Sequence, residues 1–180
     1  IPDNQFKKFV DTVSPQGIIA VAPMQLLPLE KVLDQPTAKI LILDQISDPG
    51  NLGTIIRSAV ALNFNGIVIL SNSVELYNPK VIRSALGAHL HIPIIYDIEP
   101  NIIIETLLSK NFKFFITLPT AKTDYTTAFE KTNKIALVIG NEHHGVSADF
   151  LNLETAIQIK ITINPKIESL NAAVSAAIIM

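Results

Sequence analysis

The sequence predicts an α/β fold, a mostly parallel sheet with helices on both faces. Three observations predict it. Apolar, largely β-branched runs of strand length recur at residues 39–43, 67–70, 113–118 and 134–139, and unbroken runs of this kind suit strands buried on both faces. Stretches with apolar residues at helical spacing alternate with them, the best defined being Leu52, Ile55, Ile56, Ala59 and Val60. Clusters of Pro, Gly, Asn and Asp separate the two kinds of segment.

Residues 1–17 carry mixed charge with Pro2, Pro15 and Gly17, and read as a connector with a short helical stretch near residues 6–10. Residues 18–22 read as a short strand. A stretch punctuated by Pro23, Pro28 and Pro36 then leads to the strand at 39–43. Asp48-Pro49-Gly50 suits a tight turn, and Asn51 can cap a helix over residues 52–62. Arg57 falls opposite Ile55 and Ala59 on that helix and should point away from the core. Gly66 precedes the next strand, Asn78-Pro79 opens a helix to residue 86, and residues 92–96 read as a strand. His89 and His91 alternate on one strand face as structural side chains. A helix over 99–110 and strands at 113–118 and 134–139 follow. A short helix near 148–151 precedes a strand over 156–163, and the last helix starts near Ser169, which can cap it. No internal repeat or low-complexity segment interrupts this order.

At 180 residues the chain is long enough for one domain, or one domain and a fragment of another. Its 48% apolar content supplies a sizeable core, yet no apolar run approaches the roughly 18 residues needed to span a bilayer. The absence of cysteine excludes disulfides, thiolate zinc sites and thiol catalysis, and is compatible with a reducing cytoplasm. A net charge of −2 weighs against a protein that coats nucleic acid non-specifically and leaves room for a local basic patch. The first residue is Ile1 rather than Met, so the expectation is an amino terminus that is missing or processed.

Chemistry-bearing residues crowd into three loops. Residues 135–139 empty into Gly140-Asn141-Glu142-His143-His144-Gly145, and residues 156–163 lead to Glu168-Ser169-Leu170-Asn171. Polar groups at the carboxyl ends of buried strands are where open α/β sheets place ligands. The third loop, Asp48-Pro49-Gly50-Asn51-Leu52-Gly53, precedes Arg57; it is either a turn with a solvated arginine or an anion or ribose site at a helix start. Four of the 7 glycines, Gly50, Gly53, Gly140 and Gly145, lie in two of these loops, which suggests close backbone approach. His143-His144 has no third ligand at metal-binding spacing, so no metal is expected. Neither a Walker-type loop nor a Gly-x-Ser-x-Gly elbow occurs.

Taken together and in this order, the three stretches resemble the three motifs of the SpoU (TrmH-type) RNA ribose 2′-O-methyltransferases of the SPOUT class. The segment Asn78-Pro79-Lys80-Val81-Ile82-Arg83 up to Gly87, followed by Ile92-Pro93-Ile94, shares the resemblance. Departures occur at His143, where the family often has glycine, and at Thr162 and Pro165, where Ile-Pro-Met and a glycine are usual. The resemblance implies a carboxyl-terminal deep trefoil knot, an obligate homodimer, and methylation of a ribose in structured RNA by S-adenosylmethionine. Ribosomal RNA is preferred over transfer RNA as substrate. It implies cofactor contacts, largely through backbone, from Leu118, Ile139, Gly140, Asn141, Glu142, Ile161 and Leu170, with a side chain at position 140 colliding with the adenosine. Arg57 would meet the 2′-hydroxyl across the dimer, with Asn51 orienting it and Ser169 and Asn171 completing the pocket. Glu142 would hold Arg57 or Asn51 in place. Guanidinium is ordinarily always protonated. Arg57 is therefore either a base whose proton affinity is strongly lowered, or a group that orients ribose and phosphate while another takes the proton. Residues 1–36 are expected to be a connector left from a missing amino-terminal RNA-binding domain, and residues 37–180 the methyltransferase domain. The alternative is a non-catalytic RNA-binding or assembly module on the same fold.

Overall fold

The computed structural model describes the chain apart from residues 1, 7, 11–14, 22–26, 130 and 131. Its strands are β1 (Ala38–Leu43), β2 (Gly66–Leu70), β3 (Ile94–Ile98), β4 (Lys113–Thr117), β5 (Thr123–Asp124), β6 (Lys134–Ile139) and β7 (Ile157–Lys160). Its α-helices are α1 (Asp3–Phe6), α2 (Glu30–Leu33), α3 (Pro49–Ala61), α4 (Pro79–Ala85), α5 (Pro100–Ser109), α6 (Ala148–Leu151) and α7 (Ala172–Ile179). The strands form one sheet in the order β3-β2-β1-β6-β4-β7-β5. Every pairing is parallel. No helix among the described residues is long and apolar enough to cross a membrane.

Strand side chains alternate between the two faces of a sheet, and here both faces are buried. Leu41, Leu43, Ile67, Ile69, Leu137 and Ile139 share one core cluster with Leu52, Ile55 and Ile56 of α3, Val81 of α4 and Ala176 of α7. Ile40, Ile42, Val68, Leu70, Ala136 and Val138 pack instead with Val32 and Leu33 of α2, Ile103 and Leu107 of α5 and Phe150 of α6. This two-sided burial is why the strands read as continuous apolar runs rather than as an alternating pattern.

Prolines and short polar side chains fix where the helices begin. Pro49, Pro79 and Pro100 each open a helix, where the missing N–H costs nothing. Asp48 caps α3, its Oδ1 accepting from the Asn51 N–H at 2.8 Å. The expected cap at Asn51 is therefore displaced by three residues. Because Pro49 starts the helix, the residue before it takes the extended conformation of a cap. Asn171, rather than Ser169, caps α7, accepting from the N–H groups of Ala173 at 2.9 Å and Val174 at 3.2 Å.

Other expectations change at the edges of the sheet. His89 sits in a 3-10 turn, Ala88–Leu90, not on a strand; Leu86 and Gly87 adopt left-handed backbone that turns the chain after α4. The strand expected over 156–163 is limited to β7, because its neighbour β5 offers only two residues. Residues 18–21 form no strand, and residue 22 lies outside the described residues. The amino-terminal helix ends at Phe6 rather than beginning there, with residue 7 outside the described residues.

The tightest helix contact is between α3 and α4. A Cβ built on Gly53 would stand 2.0 Å from Ser84 Oγ, 2.5 Å from the Val81 carbonyl oxygen and 2.9 Å from the Ala85 nitrogen. Two of those neighbours are backbone and cannot rotate away. Gly53→Ala should therefore destabilise the protein by about 1–3 kcal/mol, the usual cost of overpacking, measured as a lowered urea midpoint with an unchanged slope. An unchanged midpoint would mean that α4 can move off α3 freely.

Candidate active site

β1 and β6 are adjacent in the sheet, and β4 and β7 follow on the far side of β6. Since all run parallel, the loops after them emerge at one edge. The loop after β1 leads into α3, and the loop after β6 is Gly140-Asn141-Glu142-His143-His144-Gly145. The segment after β7 leads to Ser169 and α7.

Hydrogen bonds lock the first two loops together. Asp44 follows β1 directly and is only 1% exposed, the one buried charged side chain among the described residues. Its Oδ2 accepts from the Ser147 N–H at 2.7 Å. The next residue, Gln45, holds left-handed backbone at φ 57°, and its carbonyl accepts from Asn141 Nδ2 at 2.8 Å. Asn141 Oδ1 in turn accepts from the N–H groups of His143 at 2.8 Å and His144 at 3.0 Å. The loop closes where the Asn141 N–H meets the Gly145 carbonyl at 2.9 Å and the Gly145 N–H meets the Asn141 carbonyl at 3.0 Å. Gly145 makes the turn at φ 71°, a conformation glycine adopts without strain.

Gly140 is also required by the loop itself. A Cβ there would lie 2.4 Å from the Gly145 carbonyl carbon and 2.6 Å from the Val146 nitrogen. The loop's own returning backbone occupies the space that a side chain at this position would take.

Three of the predicted site residues meet through side chains. Asn51 Nδ2 donates to Glu142 Oε1 at 2.6 Å, and Asn171 Nδ2 donates to Asn51 Oδ1 at 3.0 Å. Of the two partners expected for Glu142, the structure selects Asn51. Moving the α3 cap to Asp48 is what frees the Asn51 side chain for this link. The Asn51 N–H, with Lys80 at 3.4 Å adding a smaller effect, holds the Asp48 carboxyl below its ordinary range. Glu142 Oε2 is buried without a hydrogen-bond partner, which leaves an acceptor for an incoming donor.

Beside this chain lies a cavity of about 390 Å³, within the size range of small-molecule sites. Leu118, Ile139, Gly140, Asn141, Glu142, Ile161 and Leu170 all line it, as does Ser169. Asn51 and Asn171 stand at its edge through their bonds to Glu142 and to each other. Arg57 does not line it: this side chain is exposed on α3, with no hydrogen bond or ion pair to the described residues. Among the described residues no three His, Cys, Asp or Glu side chains stand together to hold a metal ion.

Sequence reasoning passed over Asp44, although a charge abutting a buried apolar run was a legible signal. It also passed over Thr117, Lys160 and Ser175, which line the cavity. They belong to a strand, a strand end and a helix that carry no motif, and only the packing turns them toward the site.

The SpoU rRNA Methylase family profile matches residues 38–180. The chain is 34% identical over 180 residues to the 23S rRNA (guanosine(2553)-2′-O)-methyltransferase RlmP of Bacillus subtilis, covering 100% of this chain and 69% of that protein. It is 27% identical to the mitochondrial rRNA methyltransferase 3 of Mus musculus, covering 98% of this chain and 54% of that one. The crystal structure of the SpoU methyltransferase AviRb from Streptomyces viridochromogenes in complex with AdoMet superposes with a TM-score of 0.79 at 27% identity, over 87% of this chain and 63% of that one. The chain thus spans between about half and two thirds of the length of most of these relatives.

Gly140→Ala should damage the loop itself. We expect a loss of about 1–3 kcal/mol, read by thermal melting, together with faster hydrogen exchange at the His143 and His144 amides held by Asn141. Unchanged melting and exchange would show that the Gly145 peptide can yield.

Proposed function

The chain belongs to the SpoU rRNA Methylase family, and on that premise we propose that it transfers a methyl group from S-adenosylmethionine to a ribose 2′-hydroxyl of structured RNA. Ribosomal RNA is the preferred substrate, in keeping with the names of its relatives, and transfer RNA the second choice. The observation that carries the reading is the hydrogen-bonded chain Glu142–Asn51–Asn171 at the edge of the cavity. It joins one residue from each of the three motif loops.

The residues present fit the cofactor. Leu118, Ile139, Ile161 and Leu170 offer apolar walls for an adenine ring, the Gly140 to Glu142 backbone lies against the same space, and the unpaired Glu142 Oε2 awaits a donor. When bound, S-adenosylmethionine supplies an electrophilic sulfonium methyl, so the protein has to position the ribose and assist loss of its proton. Ser169 presents a hydroxyl at the cavity. Asn51, clamped from both sides, holds the motif loops in register. Arg57 orients ribose and phosphate through its planar fork, a role that suits a permanently charged guanidinium better than proton abstraction does.

Arg57 reaches a cavity it does not line if it acts on a second copy of the chain, so a homodimer belongs to the proposal. α7 supports it: apart from Ser175 this helix is apolar, and Val174 is 49% and Ile178 39% exposed. Uncovered apolar area of this kind marks an interaction face. A knotted path for the carboxyl-terminal third is part of the same reading, supported by β4 lying between β6 and β7 and by α7 packing on α3. Residues 1–36 are proposed as connector, and a reducing cytoplasm, suited to a cysteine-free chain, as the place of action.

Incubation with methyl-labelled S-adenosylmethionine and total RNA should place the label on a ribose 2′-oxygen of ribosomal RNA, mapped by its resistance to alkaline cleavage. RNA binding without transfer would favour a non-catalytic module. The cofactor alone should raise the melting temperature by mass action, with the shift surviving a chelator.

Arg57→Ala should lower turnover by about 100-fold or more, the scale of losing a positioned group at a proton transfer, with cofactor affinity nearly intact. Mixed dimers of Arg57→Ala and Asn171→Ala subunits should regain part of the activity, since one composite site would be whole. Verified mixed dimers that stay inactive would show that Arg57 works within its own subunit.

A further inference from the structure

The wall of the cavity contributed by residues 161–163 lies past the end of β7, and something other than the central sheet has to hold it. β5, only two residues long, is the edge strand of the sheet and pairs Thr123 with Ile159 and Asp124 with Lys160. Ile161 and Ile163 line the cavity, whereas Thr162 between them does not. The Thr162 hydroxyl instead donates to Asp124 Oδ2 at 2.6 Å. The other oxygen of the same carboxylate accepts from the Thr126 hydroxyl at 2.7 Å and the Thr126 N–H at 3.1 Å. One side chain therefore ties the segment after β7 to the 3-10 turn Tyr125–Thr127.

We propose that Asp124 and Thr162 form a latch that positions the Ile161 and Ile163 wall for cofactor binding, with Asp124 as a positioning residue that touches neither cofactor nor RNA. The inference rests on reading the cavity as the S-adenosylmethionine site. Fixing Thr162 on the outer side sets its two neighbours on the inner side. A two-residue edge strand cannot do this through its ladder alone, because the pairing ends at Lys160. The Thr162 hydroxyl, and after it Thr126, holds the Asp124 carboxyl down at about 2, so a charged acceptor is in place at any pH where the protein works. Thr162 is also a position where the chain departs from the Ile-Pro-Met of the resemblance. The hydroxyl gives that departure a partner.

Thr162→Val keeps the branched shape and the backbone N–H that also favours the Asp124 carboxylate but removes the hydroxyl donor, Thr162→Ser keeps the hydroxyl, and Asp124→Ala removes the acceptor for both. In ligand-free protein, hydrogen exchange of a peptide covering residues 157–163 should be about tenfold faster in T162V and D124A, and near wild type in T162S. S-adenosylmethionine affinity by calorimetry should weaken about fivefold or more in T162V and D124A, while turnover at saturating cofactor stays within about twofold. Exchange unchanged in both latch variants would overturn the proposal. Faster exchange with unchanged affinity would overturn the positioning role and leave a structural tie. Wild-type protein that binds no S-adenosylmethionine would overturn the functional reading instead, and the exchange contrast between T162V and T162S would still decide the latch.

Discussion

The arrangement of the site depends on one hydrogen bond, Asn51 Nδ2 to Glu142 Oε1 at 2.6 Å. A bond to a carboxylate is short and strong, and stronger still where water is partly excluded. It links residues 91 apart in sequence and joins the α3 start to the loop after β6. Asn171 then adds the amino end of α7 through Asn51 Oδ1. Three loops that have no backbone ladder between them are thereby held as one surface, and Glu142 retains a second oxygen, buried and without a hydrogen-bond partner among the described residues.

Behind this bond stands a layer of structural polar contacts. Asp44 anchors the far end of the Gly140 to Ser147 loop, and Asn141 uses both ends of its amide, one on Gln45 and one on the histidine N–H groups. A buried side-chain oxygen that lost its hydrogen bond would be left unsatisfied, so the loop's closed form is strongly specified. The two glycines that permit close approach divide the task. Gly53 lets α4 lie on α3, and Gly140 lets the loop fold back on itself. Each removes a side chain that would collide with the protein's own backbone.

The site is also lopsided. The chain supplies a walled cavity and a clamped asparagine, but its exposed Arg57 does not line that cavity. α7, packed against that arginine's helix, leaves the apolar side chains of Val174 and Ile178 partly exposed. The proposed homodimer would cover α7 and complete the site with Arg57 of a second copy through a single symmetric contact.

The sequence by itself determined the longer strands and helices and the two-sided burial, though not β5, α2 or the absence of a strand at 18–21, because continuous apolar runs and helical spacing reflect local geometry that any parallel sheet imposes. It also brought the cavity's backbone to notice, since glycines and polar residues at strand ends are scarce elsewhere in this chain. Tertiary structure alone decided what touches what. The Asp48 cap follows from the adjacent Pro49, but only the tertiary structure shows that the Asn51 side chain goes to the carboxylate of Glu142. Gly140 reads the same whether a ligand or a returning loop fills its space. Thr162 looks like a lost proline until Asp124, 38 residues earlier, is seen to hold it. Each of these depends on partners distant in sequence, and local propensity carries no information about which distant group folding will bring within hydrogen-bonding range.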